Sequence, residues 1–283
     1  MEDPNPLVSG AGFARLRDAG VEVDVGVLVD EARWANRAYV KAQTLGVPWV
    51  DAKIASTLDG KLATASGKSK YLTSEQSRKT VHKLRAGADA VLVGSGTILA
   101  DDPLLDCRLT PRKIAPGVVV LDSLARTPKD SRLFSIRRRR AVVVAVGPNA
   151  AQEAKESLSE AGAEIWEVSE SGQAHLSWTK LLRRCCQEGV HHLLVEGGAR
   201  VFTSLLREGL VDWLSVFVAP MMIGGDGLDA VGPLGVTDLA GAPRFCLQRA
   251  RTMGGDVMLE LSPTDCQLRP RIINPKLRRG PGD

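Results

Sequence analysis

From residue 47 onward the chain alternates two apolar patterns. Short, almost continuous apolar runs occur at 90–93 (AVLV), 118–122 (VVVLD), 141–146 (AVVVAV) and 192–195 (HLLV), each bounded by glycine, proline or charge. Runs of that length and composition predict strands buried on both faces. Strands are also predicted over 50–58, 164–168 and 213–218. Between them lie stretches with apolar residues every three or four positions, which predict helices over 150–161, 178–188 and 199–207. A further helix follows the first strand. Thr73 or Ser74 can cap it, Val81 and Leu84 give it an apolar face, and Gly87 closes it. Near the end, 244–252 and 257–261 read as a hairpin turning at Gly254 and Gly255.

Strand–helix alternation predicts an α/β fold, a mostly parallel sheet with helices on both faces, and the hairpin adds an antiparallel edge. Residues 1–45 read as a separate small unit, with a helix over 13–19, a strand over 21–29 and a helix over 31–45. After Pro263 the chain is rich in proline and arginine and poor in apolar residues, which predicts a disordered tail over 263–283.

Composition narrows the function. With 283 residues, 44% hydrophobic but only 4% aromatic, the core must be filled by aliphatic side chains. No stretch is long and apolar enough to predict a membrane span. Cys107, Cys185, Cys186, Cys246 and Cys266 have no C-x-x-C spacing, which points to reduced thiols in a cytosolic compartment and against a zinc site. The Cys185–Cys186 pair reads as helix packing. The net charge of +4 is concentrated at 137–140 and 269–279. The first of these runs reads as a solvated loop. With so few aromatic residues to stack bases, such charge does not make a nucleic-acid site.

Two strands empty into glycines. At Gly94-Ser95-Gly96-Thr97 and again at Glu196-Gly197-Gly198 a buried strand passes through glycine into a helix. Glycine lets backbone N–H groups approach an anion closely, and a helix start adds favourable partial charge. Neither turn is the G-x-G-x-x-G of a Rossmann domain. Two such turns in one sheet can hold the ends of a dinucleotide. Near the first lie Ser69, Arg85, Asp101 and Arg108, of which the arginines suit a phosphate. Lys53 leaves the first strand and Glu196 ends a later one, so both are candidate proton donors, while Asp59 is expected to order its own turn. His82 reads as helix surface. His82, His175, His191 and His192 show no metal-ligand spacing, and no metal is expected.

The segments TLDGK, ASGKSKYLT, HKLRAGADAVLVGSGT and LADDPLLDCR together resemble the reductase domain of the bacterial riboflavin-biosynthesis deaminase/reductase, over about 46–262. The resemblance implies a dihydrofolate-reductase-like sheet and NADPH as cofactor. It implies Gly94, Gly96, Thr97, Asp101, Gly197 and Gly198 at the cofactor phosphates, with Ala55 and Tyr71 near the nicotinamide. The family usually carries Trp at the position of Tyr71. Ser69, Arg85, Leu105, Arg108 and Glu196 would hold a phosphoribosylamino-pyrimidine, with Lys53 and Glu196 catalytic. The family's pairing habit implies a homodimer. Residues 1–45 resemble the close of the family's deaminase domain and its linker helix. No H-x-E or P-C-x-x-C motif occurs in these residues, so the chain reads as a reductase half carrying the stub of a lost or removed deaminase domain, with a separate deaminase as a candidate partner. The implied reaction reduces the ribosyl group of 5-amino-6-(5-phosphoribosylamino)uracil to ribityl. The alternatives are reduction of the undeaminated diaminopyrimidinone, a pterin reductase, and a reductase-like binding module without catalysis.

Overall fold

The computed structural model describes residues 1–70, 72–108, 115–170 and 175–264. Its centre is a nine-stranded sheet. In chain order the strands are β1 (Trp49–Thr57), β3 (Ala90–Gly94), β4 (Gly117–Leu121), β5 (Val142–Val146), β6 (Glu164–Glu167), β7 (His192–Val195), β8 (Trp213–Ala219), β10 (Phe245–Met253) and β11 (Asp256–Pro263). The spatial order is β10-β11-β8-β1-β7-β3-β4-β5-β6. Every pairing from β8 to β6 is parallel, and β10–β11 and β11–β8 are antiparallel. A two-stranded ribbon, β2 (Lys61–Ala63) with β9 (Leu228–Asp229), stands apart from the sheet. These strands are too short to announce themselves by periodicity.

The period-2 rule sorts the strands into two cores. Ala52, Ile54, Leu92, Val119 and Val143 point to one face, where α7 (Trp178–Gln187) and α8 (Ala199–Arg207) cover them with Leu181, Leu182, Phe202 and Leu205. Val91, Val93, Val118, Val120 and Val144 point to the other, under α5 (Ser95–Asp101) and α6 (Gln152–Ala161). Fully burying each such Leu or Phe contributes about 1.5–3 kcal/mol relative to exposure. The mostly parallel sheet covered on both faces, with an antiparallel hairpin at one edge, is the architecture the patterning predicted.

The hairpin turns at Gly254 and Gly255, both at positive φ (62° and 98°), the two left-handed positions that a tight twisted hairpin needs. It also seats α4 (Glu75–Gly87). Asp256 accepts from the Ser74 amide at 2.7 Å and the Ser77 hydroxyl at 2.5 Å, and the Ser74 side chain caps the Ser77 amide. A Cβ on Gly254 would come within 2.9 Å of Ser74 Oγ, so only glycine permits this approach. Asp59 orders its own turn, as expected, and binds the amides of Ile223 and Gly224 as well.

Several expectations need correction. The predicted strand over 21–29 is irregular chain, because no strand lies beside it among the described residues and Gly26 and Leu28 take positive φ. The single helix over 31–45 is two, α2 (Val29–Ala35) and α3 (Arg37–Leu45), broken at Asn36, whose amide donates to the Ala32 carbonyl. The predicted helix over 13–19 is α1 (Ala11–Asp18), with no buried residue. The Arg run is no open loop: Arg132–Arg139 is a 3₁₀ stretch and Arg140 is buried. Its guanidinium donates to the Leu104 and Leu105 carbonyls, and burial depresses its pKa to about 10. His82 is buried and not on the helix surface. Cys185 is fully buried in α7, burial raising its thiol to about 12, consistent with packing. Tyr71, Cys266 and the basic tail lie outside the described residues.

Candidate functional site

A cleft of about 1440 Å³ opens above the carboxyl ends of β1, β3 and β7. In open α/β sheets ligands bind at this end, where strand order changes direction. The volume exceeds that of ordinary small-molecule pockets of roughly 300–1,000 Å³. It therefore has room for two ligands side by side.

One wall is built by the glycine turns. They do not sit apart at two ends of the cleft. β3 and β7 are neighbours, and the Gly94 amide donates to the Gly197 carbonyl at 2.8 Å. Gly94 caps α5 and Gly198 caps α8, neither with a side-chain hydrogen bond, so the first amides of both helices are left for a ligand. The glycines differ in what they tolerate. A Cβ on Gly96 meets nothing within 4 Å. On Gly94 it would touch Val201 at 3.0 Å, and on Gly197, whose φ is 115°, Phe202 at 3.0 Å. Gly96, Thr97, Asp101 and Gly198 line the cleft, as does Gly94, whereas Gly197 lies behind them. The Gly197–Gly198 peptide is cis. Open amides beside an unfilled glycine position suit the pyrophosphate of a dinucleotide.

The floor is made of charge. The last turns of α4 bring His82 and Arg85, three residues apart, to one side. Arg85 binds Glu196 through both nitrogens of its fork, Nε–Oε1 2.5 Å and Nη2–Oε2 2.8 Å, with Nη1 on the Asp106 carbonyl at 3.1 Å. The pair is largely enclosed, with side-chain exposures of 14% and 7%. Burial alone would raise the Glu196 pKa, but the charge and hydrogen bonds of Arg85, with Lys53, outweigh it and hold the carboxyl below its usual range. Lys53 projects from β1 into the cleft, its Nζ 5.7 Å from the Phe217 ring. Burial depresses its pKa, against the opposing pull of Glu196, and Arg85 adds to the depression. Lys53 has no hydrogen-bond partner among the described residues.

Ala55, Ser69, Leu105 and Arg108 also line the cleft. Arg108 is 60% exposed and lies on the Asp106 carboxylate at 3.2 Å. Buried Leu105 takes a positive φ of 50°, in the loop that Arg140 holds by its carbonyls. The predicted residues thus converge on one cleft, except Gly197 behind its wall and Tyr71 outside the described residues. The sequence reading missed His82, Asp106 and Arg140. The first was detectable: a residue three before Arg85 on a helix must share its face. Among the described residues, no cluster of His, Cys, Asp or Glu could hold a metal ion. No helix among them is long and apolar enough to cross a membrane.

Parallel sheet, antiparallel edge and a cleft joining an amide cradle to a half-buried lysine are the architecture of the dihydrofolate-reductase-like class. Residues 48–259 match the family model of the RibD C-terminal domain, and the chain belongs to that family, the reductase domain of riboflavin biosynthesis. It is 37% identical over 257 residues to the riboflavin biosynthesis protein RibD of Aquifex aeolicus, covering 91% of this chain and 69% of that protein. Acinetobacter baumannii RibD superposes with a TM-score of 0.81 at 32% identity, over 93% of this chain and 71% of the other. A Thermotoga maritima protein described as a diaminohydroxyphosphoribosylaminopyrimidine deaminase/5-amino-6-(5-phosphoribosylamino)uracil reductase gives 0.76 at 32%, over 92% and 69%.

Proposed function

We propose that this chain reduces 5-amino-6-(5-phosphoribosylamino)uracil to its ribitylamino product with NADPH. The observation that carries the reading is the half-buried Lys53, without a hydrogen-bond partner among the described residues, beside the Arg85–Glu196 pair at the foot of a cleft walled by two helix starts. The cradle from Gly94 to Asp101, with Gly198, would hold the cofactor phosphates and Ala55 would face the nicotinamide, which would supply hydride for C1′ of the sugar. Ser69, Leu105 and Arg108 hold the phosphoribosyl end.

Opening the ribose ring leaves charge on O4′, and a positioned acid there lowers the barrier. Lys53 is better suited than Glu196. Its depressed pKa makes the ammonium a stronger acid, whereas Arg85 keeps Glu196 ionised and unable to donate. Glu196 instead holds Arg85 in place and offsets positive charge around Lys53.

Residues 46–262 form the catalytic unit, with 1–45 and 263–283 outside it. The chain works as a cytosolic homodimer. The test is turnover of NADPH with the deaminated and undeaminated pyrimidines. Preference for the deaminated compound supports the reading. Preference for the other reverses the order of steps, and turnover of neither refutes an enzymatic role.

A further inference from the structure

His82 belongs to none of the roles above, yet it lines the cleft and is 7% exposed. Its Nδ1 lies 3.0 Å from the Asp106 carbonyl oxygen. A carbonyl only accepts, so Nδ1 carries the proton and Nε2 of the neutral ring carries a lone pair. Nε2 has no partner among the described residues.

The surroundings give that lone pair a purpose. Lys53, Arg85 and Arg108 can only donate, and the Glu196 carboxylate is engaged by Arg85. A sugar hydroxyl both donates and accepts, and a floor of donors satisfies only half of it. Burial and the charges of Arg85 and Arg108 depress the His82 pKa, against the Asp106 carbonyl and carboxylate, so the ring stays neutral at neutral pH.

We propose that His82 is a specificity-determining hydrogen-bond acceptor, its Nε2 taking a hydroxyl proton from the sugar of the substrate while Nδ1–H is fixed on the Asp106 carbonyl. Arg85 Nη1 shares that carbonyl at 3.1 Å, so one backbone oxygen sets both the direction of the arginine and the tautomer of the histidine. The substrate half of this inference rests on the function proposed above. The tautomer half does not.

Two variants separate the nitrogens. His82→Asn places an amide N–H where Nδ1 is and provides nothing at Nε2, while His82→Gln places an amide oxygen near Nε2 and gives up the anchor. We expect kcat/KM for the phosphoribosylamino-pyrimidine to fall about tenfold in His82→Asn, the scale of one hydrogen bond, and to stay within about threefold in His82→Gln. The reverse order, or equal losses that follow a lowered melting temperature, would make His82 a structural anchor and overturn the proposal. Nitrogen-15 NMR of histidine-labelled protein, with His82 assigned by its absence in His82→Asn, reads the tautomer without any turnover. Protonated Nδ1 with bare Nε2 at neutral pH is the expected result. An Nε2–H tautomer or an imidazolium overturns the proposal even if the enzyme is active. An inactive parent enzyme with the expected tautomer overturns the functional reading and leaves the acceptor assignment standing.

Discussion

β1 carries two ionisable side chains two residues apart, Asp51 buried and Lys53 half-buried, and their fates differ. Asp51, near its start, is 5% exposed and set among Arg37, His192 and the Ser215 hydroxyl. Lys53 leaves the same face of the strand nearer its carboxyl end, has no hydrogen-bond partner among the described residues, and opens on the cleft. Burial moves both toward neutrality, raising Asp51 and lowering Lys53. Burial of charge therefore does not mark a functional group by itself. What separates them is whether the protein supplies the partners: Asp51 has its own, and Lys53 is left for a ligand.

Lys53→Met gives the largest effect. It keeps the stem and removes the charge, and loss of a positioned acid should cost ~10²–10⁴-fold in kcat and kcat/KM alike. The melting temperature should hold or rise, since a desolvated charge is removed. Asp51→Asn should leave kcat within a few-fold, its effect falling on stability. The folded pKa of Asp51 lies above its unfolded value, so the native state binds the proton more tightly. That stabilisation is full below the unfolded pKa and fades as pH climbs through the folded one. Chemical denaturation across that window should show the slope in the parent protein and not in Asp51→Asn. Equal kinetic losses in the two variants would erase the distinction between them.

Arg85→Met comes next. It leaves Glu196 buried and unpaired, and breaking such a pair costs about 3–5 kcal/mol of stability. A melting curve should show that loss, and kcat should fall with it. A rise confined to KM, with stability unchanged, would mean that Arg85 grips the substrate phosphate and is not committed to Glu196.

Gly96→Val should do least. The added side chain meets no protein atom within 4 Å, so stability changes by no more than roughly 1 kcal/mol. The KM for NADPH should nevertheless rise about tenfold or more, the loss of one or two charge-assisted hydrogen bonds. Unchanged cofactor affinity by titration would remove the glycine wall from the site.

Most of the sheet was legible because runs such as 90–93 and 141–146 bury both faces, and both glycine turns stood out at strand ends. What escaped depended on distance in the chain. The partner of Arg85 is 111 residues away, and no local pattern announces it. Arg140 looks like its exposed neighbours until the Leu104 and Leu105 carbonyls are brought to it. The segment over 21–29 failed the other way, since alternation makes a strand only beside another strand. His82 was lost to a polar stretch, HKLR, whose inward side the helix register alone reveals.

The pH dependence of kcat, measured by NADPH oxidation in the parent and in Lys53→Arg, tests the central claim most directly. The donor must be protonated, so activity should persist below the Lys53 pKa and fall as pH rises through it. Burial places that fall below the ordinary lysine range. The account predicts an alkaline limb in the parent that moves to higher pH, or leaves the accessible range, in Lys53→Arg. A limb at the same pH in both proteins would contradict it.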